Sequence, residues 1–238
     1  MSEKASSSSG TQNVTFVIPA RAGSKGFENK NLQKINGKTL IEFAIQAAFA
    51  CNYKGNIMVS SDIPIAREIC LNSGVQFHQR SKLASSDAAN ASSVIFDILA
   101  TIPMKRDDVI VYLQPTSPLR SGLHVRTALD LHMASASPVV SVGPVRTHPS
   151  KMVRVGAEGR LEAYSAQFKP TSNRQSLDTL YSPNGAIYVF SVGQFLNHGD
   201  FPILRSIPLL MDEQSSLDID TQPDLLLAQV LLRGDLDA

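Results

Sequence analysis

The sequence predicts an α/β fold with a mainly parallel sheet that carries helices on both faces. Short apolar runs rich in β-branched residues alternate with segments whose apolar residues recur at helical spacing. Several of the predicted strands are followed directly by loops rich in glycine, hydroxyl-bearing or charged residues. Because parallel sheets bind ligands beyond the carboxyl ends of their strands, we expect these loops to form one crevice.

The first 142 residues supply most of this alternation. The predicted strands are residues 14–18, 56–60, 75–78, 109–113 and 138–142. The predicted helices have their apolar residues within 40–48, 65–70, 94–102 and 123–133.

The alternation stops near Gly143, because residues 143–180 are rich in proline, glycine and polar side chains. The runs KMVRV and RLEAYSA within this segment predict a small hairpin, so we interpret it as a lobe inserted into one domain of residues 14–238. Strands are predicted again in 183–190 and 207–211, before a last helix at 224–232. Residues 1–13 are polar and serine-rich and predict a disordered tail.

The amino-acid composition indicates a soluble globular protein and argues against a nucleic-acid-binding or membrane-spanning one. The chain has 238 residues, of which 43% are hydrophobic and 18% charged, as is typical of a soluble globular protein. A net charge of +1 argues against a nucleic-acid-binding surface, and no apolar run approaches the roughly 18 residues of a membrane helix. The N-terminus has no export signal, and Cys51 and Cys70 have no metal-binding spacing, so we expect a cytoplasmic protein with reduced thiols.

The loop after the first strand concentrates positive charge. Arg21, Lys25 and Lys30 supply the cations, while Gly23 and Gly26 permit a ligand to approach the backbone closely. The loop has neither the P-loop pattern nor the GxGxxG pattern. It predicts a site for a phosphate-rich ligand, and a solvated basic loop is the alternative.

Asp218 and Asp220 are two residues apart, so in an extended segment both carboxylates point to one face. Paired hard oxygen ligands beside phosphates suit Mg²⁺. The alternative is a helix N-terminal cap, because Asp220 and Thr221 directly precede the last predicted helix.

Five motifs resemble the acylneuraminate cytidylyltransferases, also called CMP-sialic acid synthetases, in the family's order. They are IPARAGSKG followed by KN, LQPTSPLR (113–120), NRQ (173–175), PNGAIY (183–188) and SLDIDT (216–221). The resemblance spans residues 14–233 and implies a Rossmann-like three-layer α/β/α nucleotide-diphospho-sugar transferase fold. It implies an enzyme that transfers CMP from CTP to the anomeric hydroxyl of a nine-carbon nonulosonic acid and releases pyrophosphate. N-acetylneuraminate is the default sugar, and legionaminate and pseudaminate are the alternatives.

The resemblance also implies roles for individual residues of this chain. It implies catalytic roles for Lys25, Arg21 and Asp218, and a Mg²⁺ site at Asp218 and Asp220. The implied nucleotide-binding residues are Arg21, Ala22, Gly23, Ser24, Lys25, Lys30, Asn31 and Arg80. The implied sugar-binding residues are Gln114, Asn184, Tyr188, Phe201, Lys151 and Arg174.

By the same resemblance, the 143–180 lobe is a dimerisation insert of a C2 homodimer with composite sites. Lys151 and Arg174 then reach the substrate carboxylate in the partner subunit's site, and surface cations on a hairpin are the alternative. A structural role is the alternative to sugar binding for two of these residues. Tyr188 could pack in the core, and the Gln114 amide could cap a loop. Many relatives have arginine before PNG, whereas this chain has Ser182.

Two other functions compete with this interpretation. A CMP-KDO synthetase shares the sheet and the reaction but usually lacks the AGSKG…KN form of the loop, which this chain retains. A non-catalytic nucleotide-binding relative is disfavoured because the charged residues of the predicted site are all present.

Overall fold

The structure is a computed structural model that describes residues 12–23, 27–86 and 89–234. The helices are α1 (Leu40–Ala50), α2 (Pro64–Ser73), α3 (Ala91–Thr101), α4 (Gly122–Ser135), α5 (Val192–His198) and α6 (Gln222–Gly234). The strands are β1 (Val14–Ala20), β2 (Lys34–Ile35), β3 (Lys38–Thr39), β4 (Asn56–Ser61), β5 (Gln76–Gln79), β6 (Val109–Tyr112), β7 (Val139–Pro144), β8 (Val153–Val155), β9 (Leu161–Ala163), β10 (Tyr181–Ser191) and β11 (Ile207–Leu210).

Seven of these strands form one sheet in the order β11-β7-β10-β6-β1-β4-β5. Central β1 pairs in parallel with β4 and β6, β4 pairs in parallel with β5, and β11 pairs in parallel with β7. Only β10 among the described strands of this sheet runs antiparallel to its neighbours, β6 and β7. The predicted mainly parallel sheet is confirmed.

Alternating side chains of the buried strands build the two sides of the core. Phe16 and Ile18 of β1 point to one face, where they join the core packed under α1, α2 and α4. Val17 points to the other face and joins the core packed under α3 and α5. The fold is therefore the three-layer α/β/α arrangement expected from the sequence.

The segment between β7 and β10 differs from the rest of the chain. It holds the antiparallel hairpin of β8 and β9, and all six of the hairpin's strand residues are exposed. The hairpin forms where the sequence predicted one, and its role as a dimerisation lobe stays a prediction. The predicted disordered tail falls largely on residues 1–11, which lie outside the described residues.

Helix α5 and the two-residue strands β2 and β3 were not predicted. Helix α5 begins at a capping box in which the Ser191 hydroxyl accepts from the Gln194 amide and the Gln194 side chain accepts from the Ser191 amide. No helix in the described part of the chain is both long and apolar enough to cross a lipid bilayer.

Candidate active site

The loops at the carboxyl ends of β1, β5 and β6 meet in a cavity of about 680 Å³, here called the cationic cavity. The predicted site residues that line it are Arg21, Lys30, Asn31, Arg80, Gln114, Asp218 and Asp220. Residues from four separate parts of the sequence therefore converge as the parallel sheet predicts. Ser24 and Lys25 lie outside the described residues.

Two side chains fix the start of the loop that follows β1. The Asp62 carboxylate accepts a hydrogen bond from the Ala22 amide at 2.8 Å, and the Asn31 side-chain amide donates to the Arg21 carbonyl at 3.1 Å. Gly23 has φ +73°, in the left-handed region that favours glycine. This part of the loop is thus held by contacts within the chain.

Arg80 is a buried cation on the wall of the cationic cavity. Its side chain is 5% exposed, and its Nη2 donates to the Ser60 carbonyl at 3.0 Å. Burial lowers the pKa of its guanidinium. Its buried Nε has no hydrogen-bond partner among the described residues, which is uncommon for a buried donor.

The two predicted carboxylates lie on one face of an extended segment. The alternate residues Leu217 and Ile219 are buried in the core, and the Ile219 amide donates to the Thr116 carbonyl at 2.8 Å. Asp218 and Asp220 therefore both point away from this core, and both line the cationic cavity.

The environments of the two carboxylates differ. Asp220 is exposed, and its Oδ1 lies 2.9 Å from Lys30 Nζ. Asp218 is half-buried, and its Oδ1 has no hydrogen-bond partner among the described residues. Desolvation raises the pKa of Asp218, and the charge of Asp220 raises it further, while a hydrogen bond with Thr116 opposes the shift.

The cap of α6 is a capping box formed by Thr221, one of the predicted pair, and Asp224, since the Asp224 amide donates to Thr221 Oγ1 at 3.5 Å and the Thr221 amide donates to Asp224 Oδ2 at 2.8 Å. The side chain of Asp220 takes no part in these two bonds. The Asp224 carboxylate accepts from the amides of Asp220 and Thr221 and from the Thr221 hydroxyl. These contacts leave the carboxylates of Asp218 and Asp220 directed to the cavity. Within residues 12–23, 27–86 and 89–234, no cluster of three or more His, Cys, Asp or Glu side chains is arranged to hold a metal.

A second cavity of about 490 Å³, here called the acidic cavity, lies on the other side of the carboxylates. Among its lining residues are Arg146, Ser182, Asn184, Tyr188, Glu213, Asp218, Asp220 and Asp224. Asp218 and Asp220 line both cavities, so they stand at the boundary between them.

The side-chain amide of Asn184 forms contacts with three separate segments around the acidic cavity. Its Nδ2 donates to Ser216 Oγ at 3.0 Å and contacts the Met211 sulfur at 3.4 Å. Its Oδ1 accepts from the Ser141 hydroxyl and from the Ala186 amide. All four hydrogen-bonding positions of this amide are occupied within the chain.

Tyr188 and Phe201 lie together at a smaller cavity of about 200 Å³, which Gln114 also lines. Their ring centroids are 5.0 Å apart with an interplanar angle of 76°. The Gln114 side chain packs against Gly185, where a Cβ atom would lie 2.8 Å from Gln114 Oε1. The structure thus brings these three predicted sugar-side residues together.

Of the two lobe cations, Lys151 is not among the described residues that line the cationic or the acidic cavity. Lys151 lines a separate cavity of about 220 Å³ with His148 and Asp178. Arg174 begins a short 3-10 helix, and its side chain lies outside the described part of the structure.

Sequence reasoning missed residues that hold the site in shape. Arg120 is 4% exposed, and its Nη1 donates to the carbonyls of Gln114 at 2.9 Å and Ala186 at 2.8 Å, which joins the loop after β6 to β10. Burial lowers the pKa of Arg120 to about 9. Asp62 also holds the site in shape, and its position directly after a predicted strand could have indicated this. The hydrogen-bond partners of Arg120 could not be predicted from the neighbouring sequence.

Comparisons with known proteins agree with this geometry. Residues 15–222 match the family model described as Cytidylyltransferase. The N-acylneuraminate cytidylyltransferase of Streptococcus agalactiae serotype V is 34% identical over 214 residues, which is 88% of this chain. The chain spans 51% of the length of that protein. The CMP-N,N'-diacetyllegionaminic acid synthase of Legionella pneumophila is 30% identical, over 94% of this chain and 98% of its own length.

Solved structures support the fold. The structure of a CMP:2-keto-3-deoxy-manno-octonic acid synthetase complexed with CTP aligns with a TM-score of 0.69. That alignment covers 94% of this chain and 100% of the solved chain at 17% sequence identity. The resemblance of the sequence motifs to the acylneuraminate cytidylyltransferases is confirmed by the curated relatives.

Proposed function

The chain belongs to the cytidylyltransferase family, and we propose that it transfers CMP from CTP to a nonulosonic acid. The sugar's anomeric hydroxyl attacks the α-phosphorus, a new C–O–P bond forms and the α–β phosphoanhydride bond breaks. The hydroxyl loses its proton and pyrophosphate leaves. The observation that carries this proposal is that the carboxylates of Asp218 and Asp220 lie at the boundary between the cationic and the acidic cavity and line both.

The cationic cavity is the site proposed for CTP. Arg21 and Lys30 supply charge for the triphosphate, and the orphan Nε of buried Arg80 suits an acceptor on the base or ribose. Lys25 and Ser24 complete this set by their sequence position. Phosphoryl transfer depends mainly on positioning and electrostatic stabilisation, so a cationic wall is the contribution this reaction needs.

Asp218 and Asp220 are the residues proposed to hold Mg²⁺. Their fit rests on the buried, unpartnered Oδ1 of Asp218 and on two hard oxygen donors beside the proposed triphosphate site. Bound there, the metal would supply Lewis-acid stabilisation of phosphate charge. Lys30 already neutralises Asp220, so it keeps this carboxylate in place before a cation arrives.

The sugar acid is proposed to lie in the acidic cavity and to reach the aromatic pair beside it. Gln114 and Tyr188 suit hydroxyl and acyl groups, and Phe201 gives an apolar wall. Asn184 is proposed to act mainly by shaping the cavity wall, since its amide is already engaged on all sides. N-acetylneuraminate stays the default, and legionaminate is favoured equally by the similarity to the Legionella protein.

The exposed lobe supports a homodimer. Val153, Val155 and Leu161 share one face of the hairpin and are 44%, 71% and 72% exposed, whereas the opposite face carries the Arg154–Glu162 ion pair. Burial of such an apolar face is favourable, and a second copy of the chain is the proposed partner. In that dimer, Lys151 and Arg174 would contribute to the partner's sugar site.

We expect Val155→Glu to weaken this dimer, because the substitution puts a charge into the proposed interface. Leu71→Glu on α2 is the matched control, since Leu71 is 74% exposed but lies away from the lobe. Light scattering should give twice the chain mass of 25.7 kDa for the wild type and the control, and a lower mass for Val155→Glu. A wild-type monomer with full activity would contradict both the dimer and its composite sites.

Buried, unpaired Cys51 and Cys70 agree with the cytoplasmic location that we propose. The function itself is tested by pyrophosphate release from CTP and Mg²⁺ with N-acetylneuraminate, legionaminate, pseudaminate and KDO. Release with one nonulosonate supports the proposal and names the sugar. Release with KDO alone assigns the eight-carbon sugar instead, and tight CTP binding without release from any of the four contradicts CMP transfer to these acids.

A further inference from the structure

The acidic cavity has an unbalanced set of charges. Four of its lining residues are carboxylates, namely Glu213, Asp218, Asp220 and Asp224, and Arg146 is the single Lys or Arg among the described residues that line it. A sugar acid brings one more carboxylate into this cavity. Lys30 pairs with Asp220, and Mg²⁺ is proposed to bind Asp218 and Asp220, which leaves the charges of Glu213 and Asp224 to repel the sugar acid. Arg146 is a cation of its own subunit that lines the cavity and can offset this repulsion.

Arg146 lies two residues beyond Pro144, the last residue of β7, whose end lines this cavity. The neighbouring Val145 amide donates to the Leu180 carbonyl at 3.1 Å, so the backbone here is fixed to the segment that leads into β10. The side chain is exposed to solvent and lines the acidic cavity together with Asp224.

The Arg146 guanidinium is not committed to another structural contact within the described residues. None of them forms a hydrogen bond with its side chain or an ion pair within 4.0 Å. Asp224 is held instead by Asp220 and Thr221 through three hydrogen bonds. Both faces of the guanidinium fork are thus available to a ligand in the cavity.

On the basis of the function proposed above, we propose that Arg146 binds the carboxylate of the sugar acid within its own subunit. A guanidinium matches a carboxylate in a bidentate pair, which neither Ser182 nor the amide of Asn184 on the same wall provides. Arg146 does not line the cationic cavity, so this role is separate from CTP binding. Arg146 also lines the smaller cavity that Lys151 lines, but it is proposed to act in its own subunit, whereas Lys151 and Arg174 are proposed to act from the partner subunit.

The test compares Arg146→Ala and Arg146→Lys with the wild-type protein in steady-state assays of pyrophosphate release. We expect Arg146→Ala to raise KM for the sugar acid about tenfold or more, as loss of a charge-assisted pair predicts, and to leave KM for CTP within about twofold. Arg146→Lys should recover part of the loss. Arg233→Ala, an exposed arginine in the last turn of α6, is the control and should behave as wild type.

The methyl ester of the same sugar acid separates carboxylate binding from a structural role. Arg146→Ala should not raise KM for the ester, because the neutral ester has no negative charge for the guanidinium to pair with. An equal loss with acid and ester, an equal rise in KM for CTP, or no change in any constant would each overturn the assignment. If the wild type releases no pyrophosphate with any sugar acid, the proposed function fails first, and this inference fails with it.

Discussion

Replacing Asp218 with Asn is expected to lower kcat for CMP transfer by on the order of a hundredfold or more, and to raise the Tm of the metal-free protein. The loss of activity follows from removing one of the two proposed oxygen ligands of Mg²⁺, whose charge stabilisation contributes several powers of ten. The gain in Tm follows from removing a half-buried charge whose Oδ1 has no hydrogen-bond partner among the described residues.

The expected gain in stability depends on pH in a defined direction. Burial raises the pKa of Asp218, so the folded protein holds this proton more tightly than the unfolded chain. The carboxylate therefore destabilises the fold at pH values above its folded pKa, and this penalty vanishes below its unfolded pKa of about 3.9. Asp218→Asn should raise Tm at pH 7 and lose this advantage in acid.

Asp220→Asn is the matched control for stability. Asp220 is exposed and paired with Lys30, so its replacement should lower activity without raising Tm at pH 7. Thermal unfolding with a chelator present gives the Tm values, where 1 kcal/mol corresponds to about 2–4 °C for a chain of this size. Near-normal turnover by Asp218→Asn, or equal Tm shifts in the two variants, would contradict the role given to Asp218.

Lys25→Ala is expected to lower kcat by at least about a hundredfold with the fold intact. Lys25 lies in the loop between Gly23 and Lys30, and loss of one well-placed donor to developing charge typically costs roughly 3–4 kcal/mol of barrier. Steady-state kinetics measure the loss, and circular dichroism with an unchanged Tm would show that folding is preserved.

Lys34→Ala gives a comparison for the Lys25 variant, because Lys34 is an exposed lysine in β2. It should keep normal turnover. If Lys25→Ala also turns over normally, Lys25 has no part in stabilising the transition state, and Arg21 and Lys30 must supply that charge alone.

The sheet was predictable because its signals are local. Apolar β-branched runs such as residues 14–18 identify buried strands, and the rule for carboxyl ends then brings their loops together. The face shared by Asp218 and Asp220 followed from the two-residue period of an extended segment. Helix α5 was missed although Ser191 and Gln194 form a readable capping box, since a seven-residue helix has little periodicity.

The parts of the site that sequence reasoning missed depend on contacts between distant residues. Arg120 is separated by 66 positions from Ala186, whose carbonyl it bonds, and Asn184 bonds Ser141 43 positions away. No local sequence pattern predicts that the side-chain amide of Asn184 forms all of its hydrogen bonds within the cavity wall. The role proposed for Arg146 likewise depends on the fold, because four carboxylates from the C-terminal part of the chain line the acidic cavity with it.

The most direct test of CMP transfer is phosphorus NMR of the intact protein with CTP, Mg²⁺ and N-acetylneuraminate or legionaminate. We expect the CTP signals to be replaced by equal amounts of pyrophosphate and one new phosphodiester, because the bond between the α- and β-phosphates breaks. Formation of CDP with orthophosphate would contradict it, since that outcome requires cleavage between the β- and γ-phosphates. An unchanged CTP spectrum with either sugar acid, in protein that binds CTP, would contradict it as well.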